Sequence, residues 1–169
     1  MYPIASVTSP SSGDVAFTNI PQTFTHLQVR VFARSSYTGN PTAFSGLYIN
    51  GSPTSNNYPT HLLLGDGSSA TASSNTTNNQ FTPDSYNIPT ATNTANVYGA
   101  VIWDILDYAN TNKYKTVKVI SGFDANGSGR VSLGSGVWLS TSAITQLDIT
   151  TVNNFVAGSV ISLYGITTA

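Results

Sequence analysis

The chain has 169 residues, a mass of 17.8 kDa and a formal charge of −1, and only 8% of its residues are charged. It contains no Cys and no Glu, and 61 of its positions are Ser, Thr or Asn. Such a chain has the size of one domain. It is too poor in helix formers for a helical bundle and has no thiols for a disulfide frame, and its six basic residues cannot neutralise a long phosphate track.

Strand signals run from end to end. Two weak ones cover 4–7 and 15–18. Residues 26–33 alternate, with Leu27, Val29, Val31 and Ala33 on one side and Gln28, Arg30 and Phe32 on the other. Residues 44–50 read as a strand closed by Asn50-Gly51, a strong turn pair. The run 61–64 stops at Gly65-Asp66-Gly67. Residues 67–89 are mostly Ser, Thr and Asn, with Phe81, Tyr86 and Ile88 as anchors, and predict a long surface loop. The longest strand candidate is 97–108, where Val101, Trp103 and Ile105 share one face and Ile102 and Leu106 the other. A strand apolar on both faces sits between two layers or at a subunit contact. Candidates at 114–121, 130–140, 144–151 and 158–166 complete the set. Short strands separated by Gly, Pro, Asn and Ser predict an all-β, antiparallel, jelly-roll-like β-sandwich, a single domain over 1–169.

Motifs that could carry chemistry have simpler readings. Residues 65–70 fit G-x-G-x-x-A, but Thr71 to Thr77 is no helix, so this is a turn rather than a dinucleotide fingerprint. Asp124-Ala125-Asn126-Gly127 starts like a calcium loop, yet its twelfth position is Ser135 rather than Glu, and Asn126-Gly127 reads as a hairpin turn. His26 and His61 are the only histidines, and no spacing brings them together with a carboxylate as zinc chemistry requires. Asp104 and Asp107, three apart on a strand, face opposite sides and suit turns better than paired-acid catalysis. The sequence therefore offers no catalytic residue, no cofactor-binding residue and no metal ligand. Tyr37, Tyr48, Tyr58, Tyr86, Tyr108 and Tyr114 lie near loops and strand ends, where they either stack on sugars and anchor protein contacts or close the ends of a sandwich. Asn50, Asn75 and Asn126 head formal glycosylation triplets that mean only surface turns without a leader, and Met1 to Ile4 lacks the features of one. No apolar run approaches the roughly 20 residues of a membrane span.

Several blocks, in their order, resemble short β-rich virion proteins of tailed bacteriophages, labelled as head decoration, minor tail, fibre-associated or structural proteins. They are Ile20 to Leu27, Tyr48 to Gly51, Leu64 to Ser68, Asp107 to Val117, Trp138 to Thr145 and Gly158 to Ile166. The resemblance implies a β-sandwich structural subunit, no enzyme activity and no catalytic or binding residues.

The expected function is a capsid decoration, or cement, protein on the outer shell of a virion. The chain starts at Met1 and has no repetitive shaft or coiled coil, which favours decoration over a whole fibre. Its expected partners are the major capsid protein or other virion proteins and further copies of itself, a trimer being favoured because closed symmetry satisfies open edges. A near-neutral chain is poorly suited to life as a concentrated free monomer. The alternative is a tail-fibre, collar or baseplate-associated adhesin that touches host glycan through its aromatic loops and the 67–89 stretch. Neither use calls for a cofactor, nucleic acid or a membrane.

Overall fold

A computed structural model describes residues 1–8, 10–51, 57–82 and 86–168. Thirteen strands and no helix occur among them. In chain order they are β1 (Tyr2–Thr8), β2 (Asp14–Phe17), β3 (His26–Ala33), β4 (Thr42–Ala43), β5 (Ser45–Ile49), β6 (Thr60–Gly65), β7 (Ala70–Asn75), β8 (Ile88–Pro89), β9 (Gly99–Ile105), β10 (Lys115–Asp124), β11 (Gly129–Trp138), β12 (Leu147–Thr151) and β13 (Val160–Ile166). All pairings between these strands are antiparallel. The protein is thus an all-β sandwich of antiparallel sheets.

One sheet has eight strands in the order β1-β13-β3-β9-β10-β11-β6-β7, the other three in the order β2-β12-β5, and β4 and β8 form a short ribbon. Side chains alternate across a sheet, so register decides who shares a face. Leu163, Val29, Trp103 and Val119 stand side by side on four neighbouring strands, and all are buried. Ile161, Val31, Val101 and Ser121 form the row on one side of them. Opposite lie Val15 and Phe17 of β2, Leu147 and Ile149 of β12 and Leu47 and Ile49 of β5, joined with the first sheet in one hydrophobic cluster.

The core side of β11 is built differently. Its inward positions are Ser132, Gly134 and Gly136, because other groups fill that space. A Cβ on Gly136 would lie 2.6 Å from the Phe81 ring and from the Pro59 carbonyl. Phe81 meets Tyr58 edge-on at 4.9 Å, and the Tyr58 hydroxyl accepts the Ile49 amide at 3.1 Å. Loop aromatics therefore replace the side chains that β11 lacks.

Two buried cations tie down loops at opposite ends of the strands. Arg34 donates from its guanidinium to the carbonyls of Thr94 at 2.6 Å, Val97 at 2.9 Å and Asn93 at 3.0 Å. Lys115, fully buried, donates from Nζ to the carbonyls of Lys113 and Thr141 at 3.0 Å and of Ser140 at 3.4 Å, with the Trp138 ring 5.7 Å away. Backbone carbonyls take the place of carboxylates at both.

The ten predicted strands all form, with bounds shifted by a few residues; β1 and β6 extend beyond theirs at both ends, and β10 runs further, to Asp124. The surface loop expected over 67–89 is the main correction. It contains β7 and β8, and Phe81 is buried against Leu47. Strand β7 buries neither face, so its sequence carries no apolar alternation to read. Residues 83–85 of that stretch lie outside the described residues.

Candidate interaction surface

The inner face of the eight-stranded sheet is core, so its outer face should be polar. In the middle it is not. Phe32 on β3, Ile120 on β10, Val131 and Leu133 on β11 and Leu63 on β6 point outward and are 45–58% exposed. Ile102 of β9 joins them half-buried. Register makes this one patch. Arg30, Ile102, Ile120, Leu133, Leu63 and Ala72 form one row across six strands, and Phe32, Ala100, Gly122 and Val131 form the next. The five exposed side chains present on the order of 450 Å², the size of the largest apolar patch on a typical monomer, which is often functional.

A third row carries the charge. Gln28, Asp104, Lys118, Ser135 and His61 lie side by side. Lys118 meets Asp104 at 3.1 Å, and Gln28 donates to the same carboxylate at 2.6 Å. Arg30 covers the Tyr164 ring at 5.0 Å. The face thus pairs an uncharged centre with a short border of both signs.

The two edges of the sheet differ. Strand β1 is guarded by Pro3 and by a register shift between Pro3 and Ala5. Strand β7, Ala-Thr-Ala-Ser-Ser-Asn, has no charge and no Pro, and its described pairing with β6 is regular.

The ends of the strands are distinct. At one end lie the turns after Gly65 and Asp124. Asp66 accepts the amides of Ser68 at 3.0 Å and Ser69 at 2.7 Å, which hold its carboxyl well below the usual range. In the second turn Asn126 and Gly127 both have positive φ, as a two-residue hairpin needs, and Asp124 accepts the Gly127 amide at 3.1 Å. Both motifs act as turns. Between them opens a polar cleft of about 450 Å³ whose lining includes Asp66, Asn93, Phe123 and Arg130. The Arg130 guanidinium lies over the Tyr86 ring at 5.4 Å. At the other end Leu106, Tyr114 and Leu139 are exposed at the ends of neighbouring strands.

The residues singled out in the sequence separate here. His26 and His61 are four strands apart. His26 accepts the Asp107 amide at 3.0 Å; His61 is exposed on the outer face of β6. Asp104 stays on β9, whereas Asp107 leaves the strand at positive φ and meets Lys113 at 2.5 Å. That hydrogen bond from Lys113 lowers its pKa. Among the described residues no three His, Asp, Glu or Cys converge. Tyr58 and Tyr108 are core residues, and the Tyr108 hydroxyl donates to the Pro21 carbonyl. Tyr86 and Tyr114 remain exposed. Sequence reasoning missed most of the outer patch. Its signal was present in 97–108, where Ile102 broke the alternation, and in 26–33, where Phe32 stood opposite the apolar side.

No family model matches the chain, and no curated protein or solved structure matches it either.

Proposed function

We propose that this chain is a structural subunit of a bacteriophage virion, a capsid decoration protein that adds contacts to the outer shell. The observation that carries this is the apolar outer face of a sheet whose inner face already forms the core. A rigid sandwich that keeps such a face uncovered is built for protein contact. The resemblance of its sequence blocks to β-rich virion proteins supports the same assignment, and the jelly-roll character of such subunits belongs to it. Its partners are then the major capsid protein and further copies of itself. Many copies binding only the assembled shell stabilise it by mass action.

One observation favours a second use. The cleft beside Phe123, Asp66, Asn93 and Arg130 combines an aromatic side chain with polar groups, a combination that suits sugar. A tail adhesin contacting host glycan would use it. Copy number in purified virions separates the two. Quantitative mass spectrometry against the major shell protein should return a comparable ratio for a decoration protein. A few copies per particle would move the chain to the tail, and absence would end the virion assignment.

A further inference from the structure

We infer that the outer face of the eight-stranded sheet is the contact of a two-fold symmetric dimer, and that its occupant is the same face of a second copy. The dimer follows from this face alone and does not depend on the virion assignment; it covers the face on which that assignment rests and leaves a shell contact to the exposed Leu106, Tyr114 and Leu139 at one end of the strands.

The inference rests on self-complementarity. The sheet has four strands on each side of the boundary between β9 and β10. Consider a two-fold axis along that boundary, lying in the plane between two stacked sheets. Each residue of β9 then faces the residue of the partner's β10 with which it is registered, and β3 likewise faces β11. Ile102 meets the partner's Ile120, and Ala100 meets the partner's Gly122. Phe32 meets the partner's Val131, and the stem of Arg30 lies on the partner's Leu133. Asp104 meets the partner's Lys118, and Lys118 the partner's Asp104. Two intrachain ion pairs become a ring of four alternating charges.

No other occupant is specified by the face itself. A three-fold arrangement, which the closing of open edges favours, does not place Asp104 against Lys118. The whole face, eight strands about 4.8 Å apart and roughly six residues long at about 3.3 Å each, spans about 750 Å², comparable to the roughly 800 Å² per partner of a standard interface, and its four central strands supply about half of that. Stacked sheets keep their strands within about 30° of each other, so the central four strands stay in register despite twist.

The test uses the full chain and a charge exchange. Sedimentation equilibrium over a wide concentration series should give twice 17.8 kDa. Asp104→Lys alone, and Lys118→Asp alone, each surround the axis with four like charges and should weaken dimerisation about tenfold or more. Mixed in equal amounts, the two variants should form a heterodimer, because opposite charges again face each other. Ile120→Glu, at an exposed site, should give a folded monomer with an unchanged circular dichroism spectrum. A wild-type monomer or trimer at every concentration overturns the proposal. So does a wild-type dimer that survives Ile120→Glu, or single variants whose mixture gains nothing.

Discussion

Replacing Lys115 by Met removes a buried charge without removing its stem. The ammonium makes two well-formed bonds, to Lys113 and Thr141, and a longer one to Ser140. A hydrogen bond from a charged donor contributes about 1.5–3 kcal/mol. Two such bonds exceed the net cost because the cation is itself expensive to bury, and because the freed carbonyls near the exposed Thr141 can rehydrate. The expected loss is about 2 kcal/mol, or roughly 4–8 °C in Tm for a domain of this length. The pH dependence is the sharper readout. Burial, and then the nearby Lys113 charge, lower the Lys115 pKa below its ordinary 10.5. Between the lowered value and 10.5 the unfolded chain binds more protons than the folded one, so stability rises with pH. Below that window the ionisation penalty is fully present; above it the penalty is gone. Lys115→Met lacks this gain. Urea melts of both proteins at a series of alkaline pH values should show the gap between them widening towards pH 10.5. A constant or narrowing gap would refute the buried-cation account.

Other substitutions test the remaining fold-setting contacts. Arg34→Met should cost about 2–3 kcal/mol in urea unfolding, since three carbonyls lose a charged donor. Amide exchange should rise first at Asn93 to Val97, which that side chain holds. Gly165→Val should cost about 1–3 kcal/mol by overpacking, because a Cβ there lies 2.3 Å from the Phe24 ring. Trimming that ring with Phe24→Leu should recover part of the loss. Asn50 sits at a φ of 54° and bonds Ala143, Thr145 and Gln146 through its side chain. Asn50→Ala should cost about 1–2 kcal/mol, and Asn50→Gly less, as relief of the left-handed backbone offsets part of the lost bonding.

The fold was legible where one face of a strand meets the core. Residues 26–33 could be read to the residue because Leu27, Val29, Val31 and Ala33 are all buried. Strand β11 shows why the outer face was not. Its apolar Val131 and Leu133 point to solvent, while its inward positions are Ser132, Gly134 and Gly136. A binary reading of that segment turns the strand inside out, because the space over the glycines is filled by Phe81 and Pro59 from elsewhere in the chain. Sequence alone does not reveal that filling. The long-range contact between Lys115 and the 138–141 segment was hidden in the same way. Two blocks that stood apart in the sequence, Asp107 to Val117 and Trp138 to Thr145, are joined by one buried ammonium.

The inferred two-fold axis has a consequence for the proposed function. It runs parallel to the strands, so it leaves strand direction unchanged between the two copies. Both turns of one copy, after Gly65 and Asp124, then emerge at the same end of the dimer as those of its partner. The clefts beside Phe123 and Arg130 lie side by side there, while Leu106, Tyr114 and Leu139 of both copies gather at the opposite end. Such a dimer is polar along its axis. One end carries the paired apolar side chains, and the other presents two polar clefts. If the clefts bind sugar, as the second reading has it, two of them on one frame hold a multivalent surface more tightly than one does, since the second binding step is intramolecular. The Ile120→Glu monomer should lose apparent affinity for a multivalent polysaccharide surface while binding a short soluble oligosaccharide as well as the dimer does. Equal loss for both probes would break the link between the sheet face and the cleft.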